Sequence, residues 1–154
     1  MMKRVFTTLL LFLSFSLFAK AQSKNELLYL SIVRNEPEKV TQLLIDNADA
    51  NYVFAKGPWM KVSVLITAVN NEHIEMVKAL IKSKADVNWR DGFNCTALMY
   101  AAAKGNMELV NLLLENGADV TADDGKGNTA LTAATESKNT ELIKLIQQRL
   151  NTGK

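Results

Sequence analysis

The chain has one cysteine, one histidine and two prolines among its 154 residues. A lone Cys95 closes no internal disulfide, so cohesion must come from packing. Its thiol reads as a small, partly buried group ahead of a nucleophile or a half-cystine shared with a second chain. With His73 it supplies too few ligands for a structural zinc site unless carboxylates complete the set. Acids, bases and nucleophiles in convergent spacing are scarce, so the chain is read as non-enzymatic, with no metal and no cofactor. Asp123-Asp124-Gly125-Lys126-Gly127 is acidic and glycine-rich, but it lacks the alternating oxygen ligands and distal Glu of a calcium loop. Gly125-Lys126-Gly127 has the wrong spacing for a phosphate-binding loop, which leaves a hairpin tip as the reading of this segment.

After residue 21 no apolar run is long enough to span a bilayer. The one long run lies before it: Lys3 and Arg4 precede an uncharged stretch from Val5 to Phe18, closed by Ala19-Lys20-Ala21. A basic start, a short apolar stretch and small residues around a cleavage point form the pattern of a secretory signal peptide. Residues 1–21 are therefore expected to be removed, with the mature chain beginning at Gln22. Those residues hold three of the 18 basic side chains and none of the 16 acidic ones, leaving 15 against 16. A balance so close to neutral gives no electrostatic ground for nucleic acid or an anionic membrane as partner. The product is expected to be an exported, soluble monomer, in a bacterial periplasm or, failing that, in the extracellular medium.

What the sequence has in abundance is repetition. Ser63-Val64-Leu65, Thr96-Ala97-Leu98 and Thr129-Ala130-Leu131 recur at one constant interval. The same interval joins Ala68, Ala101 and Ala134. It also maps Val77-x-x-Leu80-Ile81 onto Val110-x-x-Leu113-Leu114, and Ala85-Asp86-Val87 onto Ala118-Asp119-Val120. An earlier copy, with Val40-x-x-Leu43-Leu44 and Ala48-Asp49-Ala50-Asn51, precedes these at a longer offset. The step from Asn51 to Ser63 exceeds the step from Asn88 to Thr96 by four positions, so the first connection carries an insertion of that length. A fixed period of about 33 residues marks a stack of supersecondary units.

Each copy carries its own punctuation. Ser63, Thr96 and Thr129 place a hydroxyl to cap a first, Ala-lined helix. Gly105 ends that helix and Asn35 holds its place in the first copy, both residues for which a left-handed backbone costs little. Pro37 suits the first turn of the helix that follows. The second helix, with Leu109, Val110, Leu112, Leu113 and Leu114, stops at Gly117. An extended connection then turns at Asn94 or Gly127 before the next cap. The last copy has Leu150 where a stopping glycine is due and bears Lys138, Glu141, Lys144, Gln147, Gln148 and Arg149, the polar face of a terminal cap.

Thr96-Ala97-Leu98, Ala101-Ala102, Gly105-Asn106, Glu108-Leu109-Val110, Leu113-Leu114 and Gly117-Ala118-Asp119-Val120 resemble the ankyrin repeat. Its pattern runs T-P-L-H-x-A-A, then G-H-x-E-V-V, L-L and G-A-D-V-N. Val64, Ala97 and Ala130 replace the family's Pro, and Met99 its first His. The resemblance spans residues 22–154 and implies an all-α repeat solenoid, an ankyrin-like stack of about four helix-turn-helix units joined by hairpin-like loops. The units are expected at 22–57 (a divergent N-terminal cap), 58–90, 91–123 and 124–154 (the C-terminal cap). It further implies a structural role for His73 between helices, hairpin fingers along one edge, a concave side lined by first helices, and a protein partner.

Seven aromatic residues follow residue 21, and five of them, from Tyr52 to Phe93, fall in the first two connections. Aromatic and Arg side chains dominate interface energetics, so Trp89, Arg90 and Phe93 are candidate partner-binding residues, with Tyr52, Phe54, Trp59 and Met60 beside them. By the resemblance, Tyr100 falls on the concave side, where Asn70, Asn71, Lys104 and Glu136 would orient a partner. Alternatively, the insert Val53–Lys61 folds back over the first copy and Trp89 packs on a neighbouring finger; the sequence leaves both readings open. The expected function is non-catalytic protein binding outside the cytoplasm, through finger tips and the concave face. A narrower alternative is an inhibitor or immunity protein that blocks an exported toxin or hydrolase.

Overall fold

Helices follow one another in pairs along residues 23–57 and 59–153, the part of the chain that the computed structural model describes. The expected signal peptide, residues 1–21, lies outside the described residues. The pairs are α1 (Lys24–Val33) with α2 (Pro37–Ile45), α3 (Val64–Asn70) with α4 (Ile74–Lys82), α5 (Ala97–Ala103) with α6 (Met107–Glu115), and α7 (Ala130–Ser137) with α8 (Thr140–Thr152). Between α2 and α3, β1 (Val53–Ala55) pairs antiparallel with β2 (Lys61–Ser63), Phe54 opposite Val62. Among the described residues no helix is long and apolar enough to cross a membrane.

The helix starts are fixed by hydroxyls, as the repeated Ser and Thr predict. Ser63 Oγ accepts from the Ile66 N–H at 3.1 Å, Thr96 Oγ1 from Met99 at 3.4 Å and Thr129 Oγ1 from Thr132 at 3.2 Å. Ser23 caps α1 reciprocally with Glu26. Each such cap stabilises its helix by about 1 kcal/mol. The helix ends repeat a backbone geometry more faithfully than a residue type. Asn35, Glu72, Gly105 and Lys138, the same rung of successive copies, have φ of 57°, 59°, 68° and 60°. Asn47, Lys84 and Gly117 form a second such rung at 61°, 68° and 86°. The left-handed turn thus belongs to the fold, and at Glu72, Lys84 and Lys138 it is held without Gly or Asn at roughly 1 kcal/mol each.

Buried rows run across the copies. Leu28, Leu65 and Leu98 form one; Val40, Val77 and Val110 a second; Leu43, Leu80, Leu113 and Ile146 a third. Ser31, Ala68, Ala101 and Ala134 are fully buried on the first helices, where small side chains let α1 approach α3, α3 approach α5, and α5 approach α7. Each fully buried Leu contributes about 1.5–3 kcal/mol, and its cover comes largely from the adjacent copy.

A polar ladder joins the same copies. Asn51 accepts from the Asp86 N–H at 2.7 Å and donates to the Lys84 carbonyl at 3.2 Å. Asn88 repeats this with Asp119 at 2.8 Å and Gly117 at 2.9 Å. Thr121, the next in register, bonds only Asp119 of its own copy. The last copy agrees with its expected role: α8 continues through Leu150 to Thr152, and of the six polar residues named above all are exposed except Arg149, which is half-buried.

Asn88→Ala removes both bonds across the copies and should lower the free energy of urea unfolding by about 1–3 kcal/mol; Thr121→Ala should cost less than about 0.5 kcal/mol. Equal effects from the two would show that the ladder carries no stability. Lys84→Gly should raise it by about 0.5–1 kcal/mol, relief of the left-handed turn outweighing the freer unfolded chain. Calorimetry would register that gain as a Tm higher by a few degrees, and an unchanged or lower Tm would refute it.

Candidate functional site

The inserted connection is anchored at its ends and bare in its middle. The Phe54 ring stacks on Tyr29, centroids 4.3 Å apart and planes within 1°. Tyr52 is half-buried against the core, and burial, followed by Glu26, raises its phenol pKa. Beyond the turn, the Lys56 N–H donates to the Met60 carbonyl at 2.8 Å, and the Gly92 N–H donates to the Lys61 carbonyl at 3.0 Å. A Cβ on Gly92 would overlap the Trp59 carbonyl, so only glycine lets the first finger lie on the second. This contact puts Trp59 and Met60 beside Phe93, and the three remain 73%, 55% and 62% exposed. Within the insert, Phe54 folds back on the first copy and Trp59 stays out in solvent.

The second finger spends most of its side chains internally. Trp89 packs half-buried against the core, and the Arg90 guanidinium donates to the carbonyls of Asn94 and Asp123, tying the second finger to the third. The Asp91 carboxylate accepts from the N–H groups of Phe93 at 2.8 Å and Cys95 at 2.9 Å, and from the Tyr100 hydroxyl at 2.6 Å. Asp124, its counterpart one period on, accepts from the Asn128 amide and from the N–H groups of Lys126 and Asn128. That amide first, then the Lys126 N–H, holds its carboxyl below the ordinary range. Of Trp89, Arg90 and Phe93, Phe93 alone presents a large exposed apolar surface. Asp91 and Gly92 escaped sequence reasoning; the signal was the Asp-Gly pair recurring at Asp124-Gly125.

Asn70, Asn71, Lys104 and Glu136, the residues expected on the concave side, are exposed. Between α5 and α7 lies a cavity of about 310 Å³, lined by Met99, Tyr100, Ala103, Ala133 and Glu136, with Cys95, Asp124 and Asn128 at the finger base. Burial, and then the bond to Asp91, pushes the Tyr100 phenol far above its usual range. Burial, and then Asp91 and Asp124, raises the Cys95 thiol, keeping it protonated and a poor nucleophile. His73 sits at the N-cap of α4 and lines a different cavity with Pro37, Glu72 and Glu108. The two residues share no site. Among the described residues no cluster of His, Cys, Asp and Glu is placed to hold a metal. The cavity is lined by both apolar side chains, Met99, Ala103 and Ala133, and polar ones, Tyr100, Asn128 and Glu136.

Gly92→Ala should detach the insert from the second finger while leaving the helices in place. Tryptic cleavage at Lys56 and Lys61 should accelerate, with far-UV circular dichroism unchanged; unchanged cleavage would mean that Gly92 does not seat the loop.

A family model described as ankyrin repeats, in three copies, matches residues 27–124 and again 65–153. No curated protein matches the chain. The two matched spans run through all four helix pairs. Ankyrin repeats in general mediate protein–protein interaction and are typically non-enzymatic. With its period, its left-handed turns and its fingers in register along the matched spans, this chain belongs to the ankyrin-repeat family.

Proposed function

We propose that the chain is a non-catalytic binder acting outside the cytoplasm, holding a protein partner in the groove between its first helices and the bases of its fingers. The observation that carries this reading is where repetition stops. Buried rows keep one residue character from copy to copy. The groove rungs do not: Val33, Asn70, Ala103 and Glu136 occupy one, and Leu30, Thr67, Tyr100 and Ala133 the next. Equivalent backbone positions with dissimilar side chains give the groove a chemical sequence of its own, which a single partner can match. Export is supported by the basic and apolar pattern of residues 1–21.

Immobilised residues 22–154 should retain one specific protein from the exported fraction of the source cells. Ala103→Arg, at an exposed position beside the cavity, should weaken retention by about tenfold or more without lowering Tm. No retained protein, or retention indifferent to both Ala103→Arg and Glu136→Arg, would overturn the proposal.

A further inference from the structure

Trp59, Met60 and Phe93 share the tip where the first finger lies on the second, and they are three of the large apolar side chains left in water. Large apolar side chains gathered at one tip call for something to cover them. The charge that the first finger contributes is one-sided. No acidic residue occurs from Ala50 to Asn71, and exposed Lys56 and Lys61 flank Trp59 and Met60. On the second finger the Arg90 guanidinium is turned to the Asn94 and Asp123 carbonyls, and the Asp91 carboxylate is bonded to the N–H groups of Phe93 and Cys95 and to the Tyr100 hydroxyl. The near-neutral balance of the chain after residue 21 conceals this local excess.

Two occupants fit apolar rings, but they differ over lysine. Protein interfaces enrich Trp, Phe and Met yet are depleted in Lys. A bilayer surface takes both, since the rings settle at headgroup depth while lysine stems reach anionic phosphates. We propose that this tip docks the protein on an anionic lipid surface, with Trp59, Met60 and Phe93 entering the interface and Lys56 and Lys61 on the headgroups. Gly92 holds the tip in shape before contact, so little ordering is needed on binding. The groove is left free, and the inference does not rest on what occupies it.

The test uses residues 22–154, because the apolar run before them would bind vesicles by itself. A Trp89→Phe background leaves Trp59 as the sole indole. Vesicles of phosphatidylcholine with about 30% phosphatidylglycerol should sediment the protein roughly tenfold better than phosphatidylcholine alone, and salt should reverse this. Trp59 emission should shift to the blue and be quenched by brominated lipid. Trp59→Ser, Met60→Ser and Phe93→Ser together should weaken binding by about tenfold or more at unchanged Tm, and Lys56→Glu with Lys61→Glu should remove its salt dependence. No sedimentation, an unshifted emission, or equal binding by the triple serine variant would overturn the proposal. Should the wild type ignore vesicles while the triple variant loses a protein retained by the groove, the tip is a protein contact and the lipid reading fails.

Discussion

The stack depends on contact between corresponding helices of successive copies: α1 on α3, α3 on α5, α5 on α7, with α2 on α4 and α4 on α6 outside them. A helix of seven residues such as α3 or α5 is too short to persist by itself in water. It persists because Leu65 or Leu98 and the alanines beside it are removed from water by a neighbour built to the same plan. Stability is therefore collective. The spacing between neighbouring copies is fixed by the small-residue row on the first helices and, through the third copy, by the Asn51 and Asn88 bridges, so each copy is held by the one beside it.

That collective term is strong enough to override local preference. Glu72, Lys84 and Lys138 hold a left-handed turn that their side chains disfavour by roughly 1 kcal/mol, against about 1.5–3 kcal/mol for each Leu whose burial the turn permits. The turn must direct the chain from one layer of helices into the other, so its backbone is dictated by packing and its residue type is merely tolerated. Where Gly105 and Gly117 stand, local and global preferences agree, and the third copy is accordingly the one nearest the family pattern.

This explains what could be read from the sequence. The buried rows, the Ser and Thr caps and the Gly105 and Gly117 stops were legible because each is a residue type that one geometry demands. The left-handed turns at Glu72, Lys84 and Lys138 were not, since only their register reveals them. The finger aromatics were recognised by type, but type does not distinguish Trp59 from Trp89: one is exposed and the other packed, according to which backbone each lies against. Gly92 decides this for the first finger through the Trp59 carbonyl, a full repeat away in sequence, a contact no local pattern encodes. Total charge likewise averaged away the lysines of the tip.

The position of the insertion shows how the two roles coexist. The Asn51 bond to Asp86 spans 35 residues and the Asn88 bond to Asp119 spans 31, yet their lengths are 2.7 and 2.8 Å. Four additional residues therefore enter the first finger without moving the copies it connects. The same insertion inside a helix would turn its apolar stripe by roughly 40° and push everything beyond it about 6 Å along the axis, misaligning every buried row that follows. In a finger the added chain stays outside the packed layers, so Trp59 and Met60 can be left in water with no loss to the core. Surface that is costly to expose is carried where stability does not depend on it, and the stack supplies the rigidity that lets it be presented in one shape.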